Sequence, residues 1–446
     1  MSAFDGCKGL KSILIPSSVQ EIYSSIFRYC SNFENVSFQE PSSLTTIGTG
    51  TFEECKELKS ILIPSSVQTI RSIAFYYCSN LENVSFQEQS SLTTIRASAF
   101  EGCKELKSIL IPSSVQKIRN NSFQNCSGLE NVSFQEQSSL TTIENLVFAE
   151  CKELKSILIP SSVQTIGSDG FSYCSNLENV SFQEQSSLST IEFNTFKECK
   201  ELKSILIPYS VQTIGNDAFY YCSNFENVSF QEQSSLTTIE ASAFEGCKEL
   251  KSILIPSFVQ IIYNNAFQNC SNLENVTFQE QSSLTTIGDS SFSNCNNLKT
   301  IKLPSQLKDI SSQSFEGCTK LKSIIILSNI SKIQEHAFLN CLNLECIIYY
   351  GTNNPEIVHN NSFSGCEKLS FIITYLTYSS ETFGSFKVRK TSELPLTCPS
   401  KNNQLKSGEI ASIVICSFIF IIIICVILFF TVFRKKKDKT QDENTP

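Results

Sequence analysis

The sequence predicts a solenoid in which short parallel β-strands stack along one axis. The motif F-x-x-C recurs sixteen times, and the steps between its cysteines alternate almost throughout between 23 and 25 residues, which gives a 48-residue double repeat. A fixed period of this size is typical of a solenoid, because each unit buries its apolar side only against its neighbours. The cysteines of these motifs are Cys7, Cys30, Cys55, Cys78, Cys103, Cys126, Cys151, Cys174, Cys199, Cys222, Cys247, Cys270, Cys295, Cys318, Cys341 and Cys366.

Each repeat unit contains one stretch with the alternation of a half-buried strand. We call a 23-residue unit, such as the one that begins at Cys103, a short rung. Its residues 107–111 read Lys-Ser-Ile-Leu-Ile. Because side chains alternate across a strand, Ile109 and Ile111 are predicted to point into the core and Leu110 to point outward.

A 25-residue unit, such as the one that begins at Cys126, is called a long rung. Its strand is predicted at 130–134, with Val132 and Phe134 inward and Ser133 outward. The two extra residues of the long rung follow this strand. They account for the difference between steps of 23 and 25 residues.

The residues after each strand turn back towards the core. Pro112 lacks an N–H group and ends the hydrogen-bonded ladder. Val115 and Ile118 then return at a spacing of three, which suits a tight turn or a short 3₁₀ segment. We therefore predict turns or short 3₁₀ pieces opposite the sheet and little α-helix outside the C-terminal apolar segment.

The twenty cysteines do not have the spacing of a conventional disulfide scaffold. Sixteen hold one place in the repeat beside a Phe and a Leu, where a free thiol packs as a small apolar group. Buried thiols are the favoured interpretation, and disulfides between neighbouring rungs remain an alternative. Cys346 and Cys398 break the period and are better disulfide candidates, with each other as one pairing.

The repeat pattern resembles a known family. The consensus L-x-x-I-x-[IF]-P-x-x-[VL]-x-x-I-x-x-x-[AS]-F-x-x-C is similar to the BspA-like, Treponema pallidum-type leucine-rich repeat, and it covers about 370 of the 446 residues. The chain also resembles the BspA-like surface proteins of trichomonad parasites. The resemblance implies a leucine-rich repeat solenoid at the cell surface, with adhesion to host cells or matrix as its expected role.

The pattern predicts five segments in chain order. Residues 1–371 form the repeats, 372–398 a C-terminal cap and 399–409 a juxtamembrane linker. Residues 410–433 carry no charge and are long enough for a transmembrane helix, and 434–446 form the tail.

The charges beside the apolar segment predict its orientation. The segment is followed directly by Arg434, Lys435, Lys436 and Lys437, so the positive-inside rule places the C-terminus in the cytoplasm. The expected location is therefore a single span in the plasma membrane with extracellular repeats. No signal peptide is visible, which leaves tail-anchored insertion with cytosolic repeats as the alternative.

Composition argues against several classes of function. The net charge of −8 disfavours nucleic-acid binding, which requires basic patches. The two histidines, His336 and His359, lie in different rungs and have no suitably spaced nucleophile, and the cysteine steps are not zinc spacings. We predict no enzymatic activity, no cofactor and no metal site.

Two surfaces are candidate binding sites for a host cell-surface or matrix protein or glycan. The first is an outward leucine on each of six short rungs, at Leu14, Leu62, Leu110, Leu158, Leu206 and Leu254. The second is an edge at which otherwise identical copies differ, with its aromatic residues at Tyr76, Tyr77, Tyr209, Tyr220, Tyr221 and Phe258. A receptor for uptake or signalling and a structural coat protein are the alternative functions.

The sequence contains many Asn-x-Ser/Thr sequons for N-glycosylation. Those outside the strands are the favoured N-glycosylation candidates, because strand backbone is a poor acceptor; they are Asn120, Asn125, Asn269, Asn329 and Asn360. Asn131 and its equivalents are also sequons. A glycan there would cover the leucines of the strand.

Overall fold

A parallel sheet runs the length of the repeats, which confirms the predicted β-solenoid. The computed structural model describes residues 3–395 and 397–398. In this part of the chain each rung contributes one strand to this main sheet, and a C-terminal hairpin adds two more strands to it. The strands are Ser12–Ile15, Asn35–Phe38, Ser60–Ile63, Asn83–Phe86, Ser108–Ile111, Asn131–Phe134, Ser156–Ile159, Asn179–Phe182, Ser204–Ile207, Asn227–Phe230, Ser252–Ile255, Asn275–Phe278, Thr300–Leu303, Ser323–Ile326, Cys346–Tyr349, Phe371–Tyr375, Thr382–Phe383 and Phe386–Thr391.

The tight turn predicted after Pro112 is present, with the N–H of Val115 donating to the carbonyl of Pro112 at 3.1 Å. The residues that follow this turn form a second set of parallel strands, which the sequence did not predict. Each of these strands has two residues and pairs with its equivalents in neighbouring rungs. Glu21–Ile22, Thr46–Ile47, Thr69–Ile70, Thr94–Ile95, Lys117–Ile118, Thr142–Ile143, Thr165–Ile166, Thr190–Ile191, Thr213–Ile214, Thr238–Ile239, Ile261–Ile262 and Thr286–Ile287 form one sheet, and Asp309–Ile310, Lys332–Ile333 and Ile357–Val358 form another.

The predicted membrane segment is not part of the described structure. Among the described residues none forms a helix long and apolar enough to cross a bilayer. The segment 410–433 lies outside them, as do the predicted linker 399–409 and the tail 434–446.

Pairing in the main sheet alternates between complete and partial. The short-rung strand Ser108–Ile111 pairs with the long-rung strand Asn131–Phe134 over all four residues. The same long-rung strand pairs with the next strand, Ser156–Ile159, only at its first residue, Asn131. The other long rungs up to Asn227–Phe230 behave alike. After four of these strands, from Asn83–Phe86 to Asn227–Phe230, the connecting turn contains one left-handed residue, such as Gln137.

The core is a column of stacked side chains. The Phe rings of successive F-x-x-C motifs are parallel, with neighbouring centroids between 5.0 Å for Phe75–Phe100 and 5.6 Å for Phe171–Phe196. Ile109 and Ile111 are buried as predicted, whereas Phe134 is only half-buried. The difference arises because the long strand diverges from the next strand at this end.

The cysteines of the F-x-x-C motifs are free thiols, and all except Cys7 are buried, which confirms the favoured interpretation. Each buried thiol donates a hydrogen bond to the carbonyl of the Phe one rung earlier; Cys126 Sγ lies 3.1 Å from the oxygen of Phe100. Burial raises the pKa of Cys174 to about 12. Cys346 and Cys398, which lie outside the period, are disulfide-bonded.

The third side of each rung is a ladder of turns, and the repeats end in additional strands. Turn residues such as Asn121 and Asn125 are left-handed. The strand of the last rung, Phe371–Tyr375, pairs in parallel with Phe386–Thr391 of the C-terminal hairpin, and Phe383 is buried. These residues lie in the segment predicted as a cap, whose boundaries stay a prediction.

Candidate binding surfaces

The outward side of the main sheet, here called the strand face, carries a column of exposed leucines. The six leucines predicted to point outward are between 47% and 59% exposed, with Leu110 and Leu14 at the two limits. They lie on alternate strands and are therefore about 10 Å apart. Between them the long rungs present Ser or Thr, whose hydroxyl is turned towards its own sheet; Ser133 Oγ lies 3.5 Å from the carbonyl oxygen of Ile109.

A column of alternating charges borders the strand face. The residue before each short-rung strand is Lys and the residue before each long-rung strand is Glu, as at Lys107 and Glu130. Several neighbours form exposed ion pairs, including Lys11–Glu34 at 3.4 Å and Lys299–Glu274 at 2.6 Å. The charges and the leucines share the same two-rung period, which the sequence analysis did not detect.

The structure divides the predicted aromatic edge between two separate columns. Tyr209 lies in the turn after a main strand, where its carbonyl accepts a hydrogen bond from the N–H of Ser235 in the next rung. Phe258 lies in the equivalent turn and is 59% exposed. Tyr76, Tyr77, Tyr220 and Tyr221 instead belong to the turn ladder on the third side of the rung.

Each tyrosine pair in the turn ladder lies beside a glycine that the sequence analysis missed. The ring of Tyr77 covers Gly102, and the ring of Tyr221 covers Gly246, so closely that an added Cβ would meet the ring at about 3.0 Å. The available signal was the recurrence of Gly at a position where other copies have Asn, Glu or Tyr. Beside Tyr221, Asn269 and Asn294 line a shallow polar hollow.

The predicted glycosylation candidates differ in exposure. Asn120, Asn329 and Asn360 are exposed, whereas Asn125 and Asn269 are half-buried and left-handed. The hydroxyl of Ser122, which completes the Asn120 sequon, is buried and donates a hydrogen bond to the carbonyl of Arg119 at 2.6 Å. The basic residues predicted to flank the membrane lie outside the described part of the chain.

The histidines take part in ordinary polar contacts. His336 Nε2 lies 3.1 Å from Asn361 Nδ2, and His359 lies 3.7 Å from a carboxylate oxygen of Glu335. Within the described residues no group of His, Cys, Asp and Glu is arranged to hold a metal ion.

Comparison with known proteins places this architecture in a family. A model described as "BspA type Leucine rich repeat region (6 copies)" matches residues 1–130, 117–247, 189–307, 237–370 and 285–408. A comparison with curated protein sequences finds no match.

Three solved structures resemble the chain. A leucine-rich repeat protein from Bacteroides ovatus is 28% identical, with 87% of this chain and 86% of that chain covered and a TM-score of 0.59. A leucine-rich cell surface protein from Faecalibacterium prausnitzii is 25% identical, with 81% and 87% covered and a TM-score of 0.42. The T. pallidum leucine-rich repeat protein is 21% identical, with 54% and 77% covered and a TM-score of 0.28.

Proposed function

The chain belongs to the BspA-type leucine-rich repeat family, and on that premise we propose that it is a membrane-anchored cell-surface protein that adheres to host cells or extracellular matrix. Solenoids of this class are typically binding scaffolds rather than enzymes, because stacked rungs present an extended surface to macromolecules. The proposed anchor is the uncharged segment 410–433 with the basic residues that follow it.

The exposed leucine column is the observation that carries this proposal. Six half-exposed leucines in one line form an apolar stripe that the fold itself does not bury. Such stripes commonly mark interaction sites. Because the copies are nearly identical, each contact is weak and binding strength comes from the number of rungs engaged at once.

Replacing the leucines by serine, one rung after another, is expected to weaken adhesion progressively. Serine is the residue that the long rungs already carry at this position, so the variants keep the fold. The series begins with Leu110→Ser and adds Leu158→Ser and then Leu206→Ser. We expect each added substitution to lower the avidity by roughly three- to tenfold. The measurement is binding of purified protein to host cells or matrix, with unfolding temperature measured alongside.

The matched control is Phe258→Ser, which removes an equally exposed apolar side chain from a turn outside the strand face. It is expected to leave adhesion unchanged when the strand face is the adhesive surface, and a loss in this variant would point to the second candidate surface, to which Phe258 belongs. Complete loss at the first leucine would instead indicate a single site, and no loss after three would exclude the strand face as the adhesive surface.

Protease treatment of intact cells tests the proposed location. Loss of the repeats with retention of a detectable tail would agree with extracellular repeats and a cytoplasmic C-terminus. Full protection of the repeats would place them inside the cell and remove adhesion as a function.

A further inference from the structure

We propose that the strand face binds a second copy of this chain, face to face and with the two solenoid axes antiparallel. The inference rests on the proposed binding role of the strand face and adds a second copy of the chain as a further partner, which competes with the host surface for the same leucines. The observations that carry it are the shared two-rung period of the leucine and charge columns and the complementarity that this period creates.

The leucine column of one copy fits the serine column of another. A two-fold axis along the strand direction, placed between a short and a long rung, sets every short rung opposite a long rung. The twelve regular strands are those of the main sheet from Ser12–Ile15 to Asn275–Phe278. When these twelve strands of the two copies overlap fully, Leu158 faces Ser133 of the second copy. Leu110 faces Ser181 of the second copy. The serine hydroxyls already lie 3.4–3.5 Å from carbonyl oxygens of their own sheet, so covering them leaves them a hydrogen-bond partner.

The same arrangement matches the charged borders. Because the strands of the two copies run in the same direction, the border of one lies over the border of the other. Lys155 then faces Glu130 of the second copy, and Lys107 faces Glu178 of the second copy. All four side chains are exposed. A shift by one rung would set Lys against Lys and Leu against Leu, so like-charge repulsion selects the complementary register.

The extent of the face suits a specific dimer. The Phe rings repeat every 5.0–5.6 Å on one side of the core, close to the roughly 4.8 Å strand spacing of the sheet on the other. The face therefore curves only gently. The twelve regular strands of four residues offer about 750 Å² per copy, or about 1,500 Å² in total, which is within the range of stable interfaces. At the next strand the outward leucine is replaced by Lys302, and the apolar column ends.

Charge exchange between two variants tests the proposal. The first variant changes four border lysines to Glu, at Lys59, Lys107, Lys155 and Lys203. The second changes four border glutamates to Lys, at Glu82, Glu130, Glu178 and Glu226. Each variant alone is expected to lose self-association by about tenfold or more, and an equimolar mixture is expected to recover it.

Self-association is followed by energy transfer between labelled full chains in detergent micelles. The chains are made without N-glycans, because Asn131 and its equivalents lie on this face. Circular dichroism and the unfolding temperature of each variant alone check that both are folded. A monomeric wild-type protein, or self-association that the exchange leaves unchanged, would overturn the proposal.

A cysteine pair checks the register. Chains with Leu110→Cys, mixed with chains carrying Ser181→Cys, are expected to form a disulfide-linked dimer under mild oxidation. The two positions are three strands apart within one chain and cannot join there. The control pair, Phe258→Cys with Ser181→Cys, is expected to stay unlinked, and equal linking of both pairs would contradict the register. Adhesion to host cells is measured separately, so failure of self-association leaves the proposed function intact.

Discussion

Raising the pH from 8 to about 10.5 is expected to lower the unfolding temperature of the repeats steeply. A cysteine in an unfolded chain has a pKa near 8.5. In the folded protein, burial raises the pKa of thiols such as Cys174 and Cys318 to about 12. Below pH 8 both states keep their protons, so the stability does not depend on these groups. Above it, only the unfolded state releases protons, and the stability falls.

The effect is large because many thiols contribute. Each thiol that stays protonated only in the folded state lowers the free energy of unfolding by about 1.4 kcal/mol per pH unit between the two pKa values. Fourteen of the described motif cysteines have a raised pKa, Cys126 among them.

Calorimetry across this pH range, with a reductant present, measures the slope. A Cys126→Ala variant is the control, and its transition is expected to depend less on pH by the share of one thiol. A flat profile up to pH 10.5 would contradict the burial of neutral thiols.

Replacing Phe123 by Ala is expected to destabilise the rungs around this ring by about 3–5 kcal/mol. The ring is fully buried, with centroids 5.3 Å from Phe100 and 5.5 Å from Phe148. Its removal leaves a cavity that the neighbouring rungs cannot fill without moving. Because each rung contacts only its neighbours, the damage is expected to stay local and to uncouple the rungs before Phe123 from those after it.

Hydrogen exchange followed by mass spectrometry measures this loss rung by rung. The rungs around Phe123 are expected to exchange faster, while distant rungs keep their protection. Phe258→Ser is the control, since that ring is exposed and its replacement restores the residue found in the other copies. Uniform protection in the Phe123 variant would mean that the ring column does not couple the rungs.

The main sheet was predictable because its strands are long enough to show alternation. Ile109 and Ile111 were predicted to point into the core and Leu110 to point towards solvent, and the structure confirms all three orientations. The strand Lys117–Ile118 was missed because two residues contain no period. Its stability comes from partners 23 and 25 residues away in the chain, which local patterns do not reveal.

The candidate surfaces were predictable only in part for similar reasons. The exposure of Leu62 or Leu158 follows directly from the strand pattern. The separation of Tyr209 from Tyr221 depends on where the chain turns within a rung, and the missed second sheet obscured those turns. The alternation of Lys107 and Glu130 can be read from the sequence. How these charges lie relative to the leucines becomes clear only from the register of neighbouring strands.

The alternation between complete and single-residue pairing has a mechanical consequence. A solenoid pulled along its axis carries the tension through strand pairings of unequal strength, since each long-rung strand up to Asn227–Phe230 pairs with the following short-rung strand at one residue only. The second sheet and the Phe column continue across these weakly paired positions, so they carry part of the load there. If two rungs unfold together, their 48 residues span about 160–170 Å when fully stretched, compared with about 10 Å along the folded solenoid. Under force such a molecule lengthens in even steps and limits the peak load on whatever it holds.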